Sequence, residues 1–231
     1  MLAHMQSIVA ASWDAQETLQ VESAWNIMVH SQVLTASLFG SFPRPDLLCA
    51  VPCTHARIMK WYFPSVNSSR MVNFALAVNP RLDPDPRVMP AIDALWSRLV
   101  FGVVNHTNYD ALRERPVAVS IETKRRGEQQ SKAEVQMGVW HAAHWAFLAS
   151  HVKDRLATLF FLPGLLIVGD EWKLVASSYV NGQTILFLDR SIGSTNSELG
   201  TLQIMAVLRR LRRWVEETYW PWYKREMLGL D

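Results

Sequence analysis

Residues 117–127 read VAVSIETKRRG, and the reading of this stretch decides the fold. Val117, Val119 and Ile121 alternate with Ala118, Ser120 and Glu122. That two-residue period belongs to a β-strand, and it puts Glu122 and Lys124 on one face of it. After the polar turn RRGEQQS, the stretch Lys132 to Val152 carries Val135, Val139, Ala142, Ala143, Ala146 and Leu148 mostly at helical spacing. Upstream, Ser69 to Val78 is a run of β-compatible residues that ends in NPRLDPDP, where proline cannot continue a ladder. Between the two strands, Met89, Ile92, Leu95, Trp96 and Leu99 space a helix over Val88 to Val100.

Working outward, Leu19, Val21, Ala24, Trp25, Met28, Val33 and Leu34 predict an amphipathic helix with a break over Asp14 to Leu38. Prolines punctuate Phe42 to Pro64, which predicts a loop-rich connection with a short helix. Towards the C-terminus LLIVG (165–169) reads as a strand. EWKLVASSYV and QTILFLD read as a hairpin turned at Asn181-Gly182, a pair suited to positive φ. A long helix follows from about Ser197 to Thr218, striped by Leu202, Met205, Leu208, Leu211 and Val215, with Pro221 breaking or kinking it. The predicted class is α/β: a central mixed β-sheet flanked by helices, forming one domain over residues 1–231.

Composition narrows the function. At 231 residues, 49% hydrophobic and 19% charged, the chain can bury one sizeable core and is too poor in charge to be disordered. Its longest apolar stretch, Thr158 to Gly169, contains Pro163 and is shorter than the roughly 20 residues of a membrane helix, so no membrane association is expected. The N-terminus lacks the basic start and apolar block of an export signal, which places the protein inside the cell, in cytoplasm or nucleus. Cys49 and Cys53 are too few for a disulfide framework or a zinc site, and free or buried thiols are expected. Phosphate-cradling and dinucleotide glycine motifs do not occur, and Gly193-Ser194-Thr195 is not a hydrolase nucleophile elbow.

What remains is Glu122-Thr-Lys124. A carboxylate two residues from an ammonium on a strand can hold Mg²⁺ or Mn²⁺ through oxygen, while the lysine orients the attacking water or offsets charge growing on phosphorus. Such a site wants a second carboxylate from a neighbouring element. Alone, Glu-x-Lys occurs by chance and is also what a solvated strand face looks like. Other candidates carry equally plain alternatives. His141 and His144 suit a metal, or a helix surface or hydrogen-bonded core between Trp140 and Trp145. Arg209, Arg210, Arg212 and Arg213 suit phosphates or ion pairs with Glu216 and Glu217. Trp214, Trp220 and Trp222 suit base stacking or the core. Lys124, Arg125, Arg126 and Gly127 form a basic cluster beside the Glu-x-Lys pair that suits a polyanion such as DNA or RNA.

A series of segments in fixed order supplies the context. They are ESAWNIMVH (22–30), VNFALAV (72–78), NHTNYDALRERPVAVSIETKRRG (105–127), AEVQMGVWHAAHW (133–145), FLPGLLIVGDEW (161–172) and SIGSTNSELGTLQIMAVLRRLRRWVEETYWPWYKREMLG (191–229). Together they resemble the fungal PD-(D/E)XK nuclease-like domain family, which has a restriction-endonuclease-like fold, over about Glu22 to Gly229. The resemblance implies that Glu122 is a metal ligand, Lys124 the catalytic lysine, Gln136 a supporting helix residue and Glu22 a further acidic ligand. It also implies an Asp where this chain has Asn73, a loss of one negative charge that weakens attraction for a divalent cation. Asp83 or Asp85 in LDPDP would compensate if that loop folded back; as turn residues they would be solvated.

Three functions stay open at this point: a metal-dependent nuclease acting through Glu122, Glu22, Lys124 and Asn73; an inactive descendant that binds nucleic acid or protein; and a scaffold reused as an enzyme on a small molecule. The first expects cleavage only with Mg²⁺ or Mn²⁺. The second expects salt-sensitive binding, and the third an enclosed apolar pocket near Glu122.

Overall fold

The computed structural model describes residues 2–40, 44–63, 72–99, 101–128 and 130–231. At its centre lies β3 (Val117–Lys124), all eight residues of which are buried. The solvated-face alternative for Glu122 and Lys124 is therefore wrong: the strand is covered on both sides, as central strands in mixed sheets are.

Six strands form one sheet in chain order: β1 (Leu48–Pro52), β2 (Phe74–Val78), β3, β4 (Leu162–Val168), β5 (Glu171–Val180) and β6 (Gln183–Ser194). Only β3 and β4 run parallel, with Glu122 beside Leu166 and Lys124 beside Val168; the other neighbours are antiparallel. A parallel pair needs a crossover, and α5 (Gln130–Val152) makes it. α5 packs through His141 and Trp145, both hydrogen-bonded to Ser177 Oγ of β5. The β5–β6 turn uses Asn181 and Gly182 at φ 52° and 79°, the conformation expected for that pair.

Elsewhere, α1 (Leu2–Glu17) and α6 (Glu198–Trp214) pack together, with α2 (Glu22–Trp25), a π-helical turn (Asn26–His30) and α3 (Ser31–Leu38) forming one continuous rod beside them. The α4 helix (Val88–Arg98) buries Val88, Ile92 and Leu95. The main core gathers Ile8, Trp25, Leu34, Leu76, Ile121, Leu165, Trp172, Leu208 and Tyr219 around the sheet.

Three expectations are corrected. The N-terminal helix begins at Leu2 and buries Met5, Ile8, Ser12 and Ala15, and the break expected further on falls at the Thr18–Gln20 turn, where Leu19 takes φ 51°. The proline-rich connection forms β1 rather than a short helix. β1 is an edge strand, where Pro52 at the end interrupts no ladder. Pro221 does not stop the last helix. A π-helical turn (Val215–Tyr219) widens the backbone just before it, and α7 (Trp220–Tyr223) takes Pro221 in its first turn, where its missing N–H matters least. The start of the expected upstream strand, residues 69–71, lies outside the described residues, as do residues 42, 43, 64, 100 and 129 of the stretches read above.

Candidate active site

At its C-terminal end β3 carries Glu122 and Lys124 on one face, and the Lys124 ammonium donates to Glu122 Oε1 at 2.5 Å. Glu122 is 1% exposed, and its second oxygen, Oε2, has no hydrogen-bond partner. A buried acceptor without a donor is costly.

Two further side chains reach the same point from distant parts of the chain. Glu22, the first residue of α2, places a carboxylate oxygen 3.6 Å from Lys124 Nζ. Asn73, at the entrance to β2, donates from Nδ2 to Glu22 Oε1 at 2.7 Å and accepts the Thr123 amide on Oδ1 at 3.0 Å. These partners fix the carboxamide's orientation, because an N–H needs an acceptor and a carboxylate needs a donor. Asn73 thus turns its donor, not its oxygen, towards the acidic pair.

Burial drives the Glu122 carboxyl up to about 8, with the adjacent Lys124 ammonium pulling the other way. Burial also opposes charge on Lys124, but Glu122 and then Glu22 outweigh it and hold the lysine above its ordinary value. The two titrations are coupled: a proton on Glu122 removes the charge that lifts Lys124 and leaves Glu22 as its counterion.

His30 and Gly169, which carry no motif of their own, brace this geometry. His30 Nδ1 meets the Asn26 carboxamide at 2.9 Å, and Nε2 donates to the Gly169 carbonyl at 2.8 Å. Gly169 in turn donates its amide to the Lys124 carbonyl at 2.8 Å. Residues eight apart on a regular α-helix diverge by about 80°, and one extra residue in a π turn removes roughly 100° of that rotation. The Asn26–His30 π turn therefore brings His30 nearly into line with Glu22. Burial holds the His30 ring neutral, its pKa lowered to about 4.

The other candidates lie elsewhere. Asp83 accepts from Trp220 Nε1 and Lys224, and Asp85 pairs with Arg87, so neither joins the Glu122-Lys124 pair. His141 and His144 are buried. Arg212 binds Asp46, Glu216 and the Leu38 carbonyl, and Arg213 faces Glu217. Trp220 and Trp222 are core residues, and Trp214 stacks on Phe161. Cys49 and Cys53 are free thiols, and burial pushes Cys53 up to about 12. Gln136 sits half-buried on α5, next to Met137, which packs with Leu166 on the face bearing Glu122.

A family model described as the PD-(D/E)XK nuclease superfamily matches residues 1–220. The chain belongs to the PD-(D/E)XK nuclease superfamily. No curated protein and no solved structure matches it. Membership in the superfamily raises the question of a metal. The oxygen donors of Glu122 and Glu22, with the orphan Oε2, fit a hard divalent cation in kind. In number they are two: among the described residues no group of three or more His, Cys, Asp and Glu side chains is arranged to hold an ion. Nor, among those residues, is any helix long and apolar enough to cross a membrane.

Proposed function

We propose that the chain acts on nucleic acid, DNA or RNA, as a weakened metal-dependent phosphodiesterase of the fungal PD-(D/E)XK nuclease-like branch, one domain working in cytoplasm or nucleus. The observation that carries this reading is convergence. Glu22, Asn73 and the Glu122-Lys124 pair come from separate elements and meet through contacts of 2.5–3.6 Å. Glu122 and Glu22 would hold Mg²⁺ or Mn²⁺; such an ion, when bound, polarises a phosphoryl oxygen and lowers the pKa of its water. Lys124, between the two carboxylates, offsets charge building on phosphorus or orients a water, and Gln136 supports the centre from α5. The Glu122 proton, held to about 8, must leave before that oxygen can serve as a ligand, so cation loading rises with pH through that range.

Asn73 is what weakens the centre. It contributes no charge, and its Nδ2 gives Glu22 a hydrogen bond where the superfamily's acid would help attract a cation. The decisive measurement is cleavage of single- and double-stranded DNA and of RNA by wild type, Asn73→Asp, and Asn73→Asp/Lys124→Ala, with Mg²⁺, Mn²⁺ or EDTA. Asn73→Asp should cleave at least tenfold faster than wild type, and both EDTA and the lysine change should abolish it. Metal-independent cleavage, or an Asn73→Asp protein that never cuts, sinks the hydrolytic reading.

A second reading, a non-catalytic nucleic-acid-binding descendant, draws on the same hydrogen bonds: apart from Glu122 Oε2, the charged groups of the centre already have partners inside the protein. Under it, binding survives in EDTA and Asn73→Asp stays inactive. A small-molecule enzyme has less behind it, because the cleft beside the centre, though Leu19 and Trp25 line part of it, is open and rimmed by Arg125 and Arg126 where that reading expects an enclosed apolar pocket.

A further inference from the structure

Beside the Glu122-Lys124 centre, the turn between α1 and α2 and the turn between β3 and α5 enclose a cleft of about 510 Å³. It starts at Arg125, the residue after Lys124, and on the other wall runs from Gln16 to Gln20, two residues before Glu22. Its size is that of clefts that take one small organic group.

The lining has three chemistries. Arg125 and Arg126 form one rim, their side chains 55% and 50% exposed. Glu128 and Asp170 each approach one side of a guanidinium, but a guanidinium has five N–H donors and one acid does not exhaust them. Opposite stands Leu19, 84% exposed and in the left-handed region at φ 51°. A non-glycine residue pays backbone energy for that conformation, and here it holds an apolar side chain in the open beside two cations. Gln16 and Gln20 supply amide donors and acceptors between them, and Trp25, 1% exposed, closes the floor.

We propose that this cleft binds one unpaired nucleotide of a single-stranded nucleic acid, adjacent to the phosphate presented to Lys124. The phosphate lies on Arg125 and Arg126, the base lies against Leu19, and its edge meets the two glutamines. Cationic rim, apolar wall and amide donors in one recess match an unstacked nucleotide, whose base is splayed away from its neighbours; a duplex keeps its bases stacked inside. The inference rests on the nucleic-acid reading of the same centre and does not require that the centre still cuts.

The test is fluorescence anisotropy in EDTA with a labelled single-stranded oligonucleotide and its duplex, so that binding is read without hydrolysis. Arg125→Ala/Arg126→Ala should weaken single-strand binding at least tenfold and make the salt dependence shallower by about 0.7 in log–log slope, for one phosphate no longer neutralised. Arg209→Ala/Arg210→Ala, the same charge removed from α6, should change it less than twofold. Leu19→Gly suits the positive φ, so folding is not at risk, and should weaken binding about threefold. Equal loss in the α6 control, no loss in the cleft variants, preference for the duplex, or no binding by wild type overturns the proposal. Arginine-dependent binding by an Asn73→Asp protein that never cleaves would uphold the cleft while removing the hydrolytic reading.

Discussion

Two clusters of buried titratable groups in this molecule are built in opposite ways. At the end of β3, an acid and an amine, Glu122 and Lys124, are buried side by side, with Glu22 and Asn73 closing around them and a cleft alongside. Across α5, His106, His141 and His144 are buried as neutral rings: His106 stacks on His144 at 4.8 Å and meets Trp140 edge-on at 4.4 Å. Both ring nitrogens of His106 and Nε2 of His141 have no partner. Burial lowers His141 and His144 to about 3 and holds His106 well below the ordinary histidine value, so none of the three carries charge in the fold near neutral pH. A buried amine kept beside acids stays available to an anionic ligand. Histidines kept neutral among aromatics only fill space, even at the three-residue spacing that suggests a metal site.

The contrast predicts opposite pH slopes, and the histidine side gives the larger. Folded values far below the unfolded 6.5 mean stability that is present above pH 6.5 and falls as pH drops towards 3. With His30, lowered to about 4, four such groups lose about 5 kcal/mol per pH unit once the unfolded chain is fully protonated. A domain of ordinary stability should then unfold near pH 5 to 4, read by far-UV circular dichroism. His106→Met should lessen that slope by about a quarter; an unchanged slope would mean His106 does not titrate with unfolding.

At the β3 centre the next largest effect comes from Lys124→Met. Removing one partner of a buried pair should destabilise by about 3 kcal/mol at pH 8 in urea unfolding. The loss should shrink at pH 5, where Glu122 holds its own proton. If the loss is the same at both values, Glu122 is not the group left stranded. Glu122→Gln isolates the slope itself. Because the folded carboxyl is raised from 4.5 to about 8, it contributes stability below pH 4.5 that is lost as pH rises through 8. The glutamine variant should remove up to about 1.4 kcal/mol per pH unit of that decline, opposite in sign to the histidine effect.

How far each place was legible in the sequence follows from the same chemistry. VAVSIETK gave its strand at residues 117–124 because alternation is local, and the positions of Glu122 and Lys124 came with it. β1 was hidden because CAVPC is short and proline-marked, and nothing local says that an edge strand tolerates Pro52. α1 was passed over because its buried stripe is mixed, Met5, Ile8, Ser12 and Ala15, while Leu2 and Trp13 face solvent and blur the period. Glu22 and Asn73 are 51 positions apart, and only family resemblance brought them together. That Asn73 faces Glu22 with its nitrogen depended on the Thr123 amide claiming its oxygen, which a linear reading cannot see. The burial of β3 was missed too, since Glu-x-Lys in isolation looks solvated.

Gly169 offers the smallest expected effect and the sharpest separation between the two places. It adopts φ 59°, and a β-carbon there would stand 3.0 Å from Arg126 Cβ, so Gly169→Ala must strain the backbone or shift the turn that carries Arg125 and Arg126. The left-handed conformation costs an alanine about 1–2 kcal/mol, the expected loss in urea unfolding at pH 7. Gly169 also joins His30 to the Lys124 backbone, so displacement should reach the β3 centre and lower cleavage by the Asn73→Asp protein more than the stability change alone accounts for. The histidines across α5 share none of these bonds, so their part of the acid-unfolding slope should not move, and any change is confined to the part that His30 contributes. A variant that altered that slope and left cleavage untouched would place the strain on the wrong side of the sheet and break the claim that Gly169 positions Lys124.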